Sequence, residues 1–279
     1  MQAELAVPAE AAALAQILAV VRQRTGIDFS RYRPATVQRR IANRMISLGM
    51  ASLDAYLEWL HASADEPQLL LDRITIKVSR FYRNPAAFDL LRRELIPQLC
   101  REAGGAPLRV WSAGCGNGEE AYTLAMLLSE AGHEGVVQAT DVDPMALETA
   151  RRASYPLEAA QDLPPDLAAR YLMPIDEHGL RRVEVRPQVR GRVRFTRHDL
   201  LFASVPGWSG FDLVSCRNVL IYLQNEGRNE VFGTLRRALR PGGLLFLGEA
   251  EWPPETIAGS MEVVGQSARI FRAMASAPA

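Results

Sequence analysis

RVWSAGCGNGEEAYTLAML, Arg109–Leu127, decides the fold of this chain. RVWSA reads as a short buried strand, Gly114, Gly116 and Gly118 follow at alternate positions, and EEAYTLAML reads as a helix. A strand that runs through a glycine turn into a helix is the unit on which nucleotide-type cofactors are held, because free N–H groups at the helix N-terminus face the ligand.

The same alternation continues downstream. VVQATDVD reads as a second strand, PMALETARRA as a helix, and FDLVSCRNVLIYL and PGGLLFLGEA as buried strands separated by the helix NEVFGTLRRALR. Strands alternating with helices predict an α/β domain with a mostly parallel sheet covered on both faces. GLRRVEVRPQVRGRVRF, from Gly179, alternates Val183 and Val185 with charged residues and returns through Val193 and Phe195. It predicts a small arginine-rich antiparallel β insertion at about 174–195 with one solvated face.

Upstream the pattern is helical. Pro8 to Thr25 carries Leu14, Ile17, Leu18 and Val21 at helical spacing and closes at Gly26. PATVQRRIANRMISLGM places Val37, Ile41, Met45 and Leu48 on one face, SLDAYLEWLHAS opens on a capping Ser52, and EPQLLLDRITIKV supplies a fourth helix. A further helix runs through FYRNPAAFDLLRRELIPQL. The expected organisation is a helical domain over 1–75 and an α/β domain over 76–279.

Thirty-two Lys and Arg balance thirty-two Asp and Glu, so no global field draws the chain to nucleic acid or to an anionic membrane. The three cysteines, Cys100, Cys115 and Cys216, lack metal spacing and fit a reducing compartment as packing residues. Scattered histidines argue against a metal site. No apolar run reaches the ~20 residues of a membrane span, and the first residues do not resemble a secretory signal, so a soluble cytoplasmic protein is expected.

The glycine loop selects the cofactor. GxGxG differs from the dinucleotide fingerprint GxGxxG, and Glu119 and Glu120 follow the last glycine at once. Two carboxylates at a helix N-terminus repel a pyrophosphate in that place and suit a cofactor with a cationic amine and no phosphate. S-adenosylmethionine has both properties. Asp141, ending the second strand, stands where an open α/β sheet puts an acid for ribose hydroxyls, with Asp143 as the neighbour that could be mistaken for it. Asp199, after a third strand, can accept a hydrogen bond from the adenine amine.

FYRNPAAF, WSAGCGNGEEAYTLAM, ATDVDPMALETAR and FDLVSCRNVLIYL, in this order, resemble the chemotaxis receptor methyltransferases over nearly the whole chain. That resemblance implies a class I S-adenosylmethionine-dependent methyltransferase fold with a helical N-terminal domain. It also implies methylation of glutamate side chains on the cytoplasmic helices of chemoreceptors, with S-adenosylhomocysteine as product. It implies cofactor contacts from Lys77, Ser79, Arg83, Gly114, Gly116 and Glu120. Asp141, Asp199, Leu200, Arg217 and Asn218 complete that set, and Arg83 and Tyr222 lie by the methyl group. Lys77 departs from the family's usual asparagine and cannot accept a hydrogen bond. Gly116-Asn117 and Ala121 are further departures, none touching Arg83 or Tyr222.

The implied acceptor is a carboxylate of reference pKa ~4.3, already ionised at neutral pH, so no general base is required. Arg83 suits a carboxylate clamp because its planar fork can hold the group and leave a lone pair for attack. Arg33, Arg40 and Arg44 fall near one face of the second helix, where the resemblance implies docking of glutamate-rich receptor helices; nucleic acid is a poor competitor. A monomer is expected. Two alternatives remain on sequence alone: the same chemistry on another signalling protein, and a module that senses S-adenosylmethionine without turnover.

Overall fold

The computed structural model describes residues 3–75, 79–177, 179–202 and 209–274, which fall into two units with separate cores. Met1–Ile76 together with Tyr222–Gly227 forms one, and Lys77–Ile221 together with Arg228–Ala279 the other.

The first unit contains α1 (Ala3–Thr25), α2 (Pro34–Ser47), α3 (Leu53–Ala62) and α4 (Glu66–Ile74). Pro34 sits in the first turn of α2, where its missing N–H costs nothing, and the Ser52 hydroxyl caps α3 by accepting from the Ala55 N–H at 3.2 Å. Ile17, Val21, Val37, Ile41, Leu60 and Leu71 are buried, as helical spacing requires. The segment Tyr222–Gly227 is fastened to this unit through main chain: Arg33 N–H donates to the Tyr222 carbonyl at 2.8 Å and Gln224 N–H to the Arg31 carbonyl at 2.8 Å. Helical spacing before residue 75 carries no sign that a loop distant in sequence groups with these helices.

In the second unit, α5 (Pro85–Leu90) continues through a π turn at Leu91–Leu95 into α6 (Ile96–Glu102). There follow β1 (Leu108–Ala113), α7 (Glu119–Glu130), β2 (Gly135–Asp141), α8 (Pro144–Arg152), β3 (Ser154–Pro156) and α9 (Pro165–Tyr171). Next come β4 (Leu172–Glu177), β5 (Leu180–Val185), α10 (Pro187–Arg190), β6 (Val193–Arg197) and β7 (Phe211–Cys216). The chain closes with α11 (Asn225–Ala238), β8 (Leu239–Leu247), β9 (Met261–Gly265) and β10 (Ile270–Ala273). The main sheet has the order β6-β2-β1-β7-β8-β10-β9. Its first five strands are parallel, and β10 and β9 are antiparallel. Every residue of β7 is buried, the signature of a strand covered on both faces.

Strand order turns around between β1 and β7: from β1 the chain builds outward through β2 to β6, then returns to lay β7 on the other side. The crevice at the C-terminal ends of these two strands is where ligands bind in open α/β sheets.

Two expectations need correction. The β insertion is a separate sheet of order β3-β5-β4, spanning 154–185, and not a hairpin at 174–195. Val193 and Phe195 do not return to it; they lie on β6, parallel to β2 at the edge of the main sheet. Alternation of valine with arginine fits either placement, because period two marks a half-buried strand and not its partner. FDLVSCRNVLIYL is also not one strand. β7 ends at Cys216, Asn218 takes a left-handed φ of 59°, and Tyr222 lies in a 3-10 turn at Leu220–Tyr222. Asn is one of the few residues that enters this region readily, and it stops the strand.

Candidate active site

The loop after β1 is shaped by hydrogen bonds to the end of β2. Gly114 N–H and Cys115 N–H both donate to the Thr140 carbonyl at 2.8 Å, Gly118 N–H donates to the Cys115 carbonyl at 3.0 Å, and the Tyr155 hydroxyl to the Asn117 carbonyl at 2.7 Å. Gly114 and Gly118 have φ of 72° and 95°. A Cβ at Gly114 would collide with Val219 Cγ2, and one at Gly118 would stand 2.8 Å from the Ala150 Cβ. Gly116, by contrast, faces open space. The loop is thus packed beneath and open at its tip.

The two aspartates after β2 separate by role. Asp143 is buried and caps α8, its Oδ1 accepting from Met145 N–H at 2.9 Å. Asp141 remains partly exposed at the strand end, with Oδ2 accepting from Gly116 N–H at 2.8 Å and Oδ1 from Asp143 N–H at 2.9 Å. It holds the loop tip from the strand end. Asp199 follows β6, partly exposed, accepting from Leu201 N–H at 3.0 Å, and Leu200 beside it is buried.

The paired glutamates differ sharply. Glu120 accepts from the hydroxyls of Ser112 at 2.9 Å and Ser215 at 2.7 Å, and pairs with Arg217 at 3.4 Å. Glu119 is 4 % exposed; Ser79 hydrogen-bonds to it, while its Oε2 has no partner among the described residues. Burial pushes its carboxyl up to about 7, with a further push from the Glu120 charge.

Arg217 directly follows β7, with its side chain 2 % exposed. Its guanidinium lies over the Phe246 ring at 4.3 Å and the Phe88 ring at 5.2 Å, and donates to Glu120, to the Arg83 carbonyl and to Asn84 Oδ1. Burial lowers its affinity for the proton. The following turn is gathered by Glu251. Its carboxylate accepts from the N–H groups of Asn218 at 2.9 Å, Val219 at 3.0 Å, Leu220 at 2.8 Å and Gly248 at 2.7 Å. Sequence reasoning missed Glu251, although an acid just past a buried strand, at the ligand end of the sheet, was a usable signal. It also missed Ser112, Ser215 and Asn84, for which no local signal exists.

Ser79, Arg83, Gly114, Gly116, Glu120, Asp141, Asp199, Leu200, Arg217 and Asn218 all belong to the α/β unit. The family description of two parts of the chain agrees: "CheR methyltransferase, SAM binding domain" matches residues 77–269 and "CheR methyltransferase, all-alpha domain" matches 12–75. The chain belongs to the CheR methyltransferase family. A chemotaxis protein methyltransferase of Listeria innocua is 34 % identical over 83 % of this chain and 87 % of its own length. Chemotaxis protein methyltransferase 1 of Pseudomonas aeruginosa is 31 % identical over 81 % of this chain and 85 % of its own. A 104.1 kDa protein of Rhodobacter capsulatus is 39 % identical over 88 % of this chain, which spans only 26 % of that protein.

S-adenosylmethionine is the cofactor of a CheR-family core, and the residues present fit it. A buried glutamate whose one oxygen has no partner among the described residues heads α7, an open glycine tip precedes it, and acids stand at the end of β2 and just past β6. Lys77 lies outside the described residues. Cys115 and Cys216 are buried, and burial pushes both thiols well up, against the thiolate form that a nucleophile needs. No group of His, Cys, Asp or Glu among the described residues could hold a metal ion, and no described helix is long and apolar enough to cross a membrane.

In the helical unit the three arginines expected at a docking face diverge. Arg44 is not a free surface charge: its guanidinium forms a bidentate pair with Glu66 at 2.8 and 2.7 Å and is 13 % exposed. A buried glutamate on α4 demands that partner, which helical spacing on α2 could not reveal. Arg33 is exposed but donates through Nε to the Leu223 carbonyl at 3.3 Å. Arg40 is half-buried, and Arg39 beside it is exposed. Tyr222, half-buried, is carried by the segment that groups with this unit.

Proposed function

We propose that this chain esterifies glutamate side chains on the cytoplasmic helices of chemoreceptors, working in the cytoplasm as a monomer. The observation that supports the reading is the pair of glutamates heading α7, one of them buried with an oxygen that has no partner among the described residues, an arrangement that disfavours a phosphate there and offers carboxylate oxygens to a cationic amine. Bound there, S-adenosylmethionine supplies an electrophilic methyl group on a sulfonium centre.

The work of the chain's own residues follows from charge. The acceptor carboxylate arrives ionised, so no residue need take a proton from it. Joining an anion to a cation destroys both charges, so a wet site opposes the reaction and the residues around it must align the partners and exclude water. Alignment of this kind is worth up to ~7–11 kcal/mol. Arg83 holds the acceptor by one edge of its fork, and Tyr222 orients it through the hydroxyl; a grip on both oxygens would stabilise the ground state and slow the step. Arg33, just before α2, and Arg40 on it meet the acidic receptor helix. Lys77 tunes cofactor affinity.

A second reading has a specific support: a probable biofilm formation methyltransferase of Pseudomonas putida is 35 % identical over 83 % of this chain, which spans 54 % of that protein. The acceptor would then be a receptor-like signalling protein outside chemotaxis.

The test is transfer of labelled methyl to chemoreceptor-bearing membranes, with release of volatile methanol by mild alkali and Arg83→Ala as control. Alkali-labile label lost in the variant supports glutamyl esterification through Arg83. Cofactor binding without label on those membranes moves the acceptor to another signalling protein.

A further inference from the structure

The backbone on either side of Arg83 is held in a conformation that side chains seldom adopt. Tyr82 has φ of 58° and Asn84 φ of 66°, so two left-handed residues bracket the arginine. Asparagine tolerates this region; a buried tyrosine does not choose it, and such a turn persists only where its surroundings over-determine it.

The surroundings do so from several elements. Tyr82 N–H donates to Thr123 Oγ1 on α7 at 3.1 Å, and its hydroxyl donates to Asp89 Oδ1 at 2.8 Å. Its ring stacks on Phe88 with centroids 5.2 Å apart. On the other side one Nη2 atom of Arg217 donates both to the Arg83 carbonyl, at 3.1 Å, and to the side-chain oxygen of Asn84. The other end of that guanidinium pairs with Glu120. The Arg83 turn is therefore tied to the same buried cation that holds the glutamate of the cofactor loop.

From this geometry we infer that Asn84 is a positioning residue for methyl transfer: its carboxamide, gripped by Arg217, fixes the direction in which the Arg83 side chain leaves the backbone. Asn84 combines the two properties the position demands. Its backbone enters the left-handed region without a glycine's freedom, and its Oδ1 gives Arg217 an acceptor that a glycine lacks. A misdirection of about 1 Å at the guanidinium is enough to cost on the order of a hundredfold in rate, because alignment is what this reaction asks of the protein. The inference rests on the reading that Arg83 serves the acceptor.

Two variants separate backbone from side chain. Asn84→Gly keeps the left-handed turn and removes the carboxamide, whereas Asn84→Asp keeps an acceptor for Arg217 in a residue that also tolerates that φ. Each is measured for methyl transfer to chemoreceptor-bearing membranes, for S-adenosylhomocysteine binding by calorimetry, and by a crystal structure of the S-adenosylhomocysteine complex. We expect Asn84→Gly to lower kcat at least tenfold with KM and S-adenosylhomocysteine affinity within threefold, the Arg83 guanidinium displaced, and Asn84→Asp to restore both rate and placement. An Asn84→Gly enzyme with unchanged Arg83 placement overturns the inference, as does one whose rate falls only in step with cofactor affinity. Arg83→Ala distinguishes the underlying reading: full activity there removes the role of Arg83 itself, whereas loss there beside an unaffected Asn84→Gly removes only the role of Asn84.

Discussion

Arg44 and Glu66 face each other inside the helical unit as a two-pronged ion pair, at 2.8 and 2.7 Å, with Tyr56 donating its hydroxyl to the same carboxylate at 2.8 Å. Burial pushes the Glu66 carboxyl up, but the hydrogen bonds from Arg44 and Tyr56 and the Arg44 charge outweigh it and hold the group below its ordinary 4.5. The stability this adds is present above pH 4.5 and is lost as pH falls through the lower folded value. Glu66→Gln leaves Arg44 without its charge partner and is expected to cost about 3–5 kcal/mol. Urea unfolding at pH 7 and pH 4 checks it: the wild type should weaken in acid through this pair, and the variant should lose that part of its pH dependence.

Removal of Arg44 should therefore act on stability, while Arg40 should act on docking. Arg40→Glu is expected to raise KM for receptor substrate about tenfold at low salt with little change in melting temperature, and the effect should shrink as ionic strength screens it. KM measured against salt decides; a salt-independent KM equal to wild type would remove α2 from the docking surface.

Glu251 is the hub of the turn after β7. Glu251→Ala orphans four N–H groups, those of Asn218, Val219, Leu220 and Gly248, with an expected loss of about 3 kcal/mol or more. Cofactor affinity should fall with it, since Arg217 and Asn218 lead into that turn. Unfolding curves and S-adenosylhomocysteine calorimetry read both.

Glu119 works in the opposite sense to Glu66. Its carboxyl, ordinarily near 4.5, rises to about 7 by burial, so the folded chain holds a proton that the unfolded chain gives up. Below pH 4.5 both forms are protonated and nothing is lost; between 4.5 and about 7 stability declines as pH rises, by roughly 3 kcal/mol in all. Glu119→Gln should be more stable than wild type at pH 8 and equal to it at pH 4, by thermal melts without cofactor.

Gly118→Ala sets a methyl group 2.8 Å from Ala150 at φ of 95°. A stability loss of about 1–2 kcal/mol from backbone alone is expected, with weaker S-adenosylhomocysteine binding because α7 must shift. Calorimetry on the folded variant measures the second effect.

Local pattern was enough for much of this protein. Alternate glycines between a strand and a helix, acids at two strand ends, and helical spacing before residue 75 depend on neighbours within a few residues, so the α/β core, the helical unit and the class of cofactor are legible along the chain. Position at the strand end singles out Asp141 over Asp143 in sequence, and the hydrogen bond from Gly116 to the one and the α8 cap made by the other give the physical difference between them. Partners distant in sequence were decided by tertiary structure. Arg44 looked like a surface charge because Glu66 lies on another helix, and Val193 looked like a hairpin return because alternation does not name a neighbouring strand. Arg217 meets Asn84 across 133 positions, and Glu251 reaches back 33 to Asn218. Such pairs exist because a buried charge must find a counterpart wherever the fold brings one, and no spacing rule along the chain records where that will be.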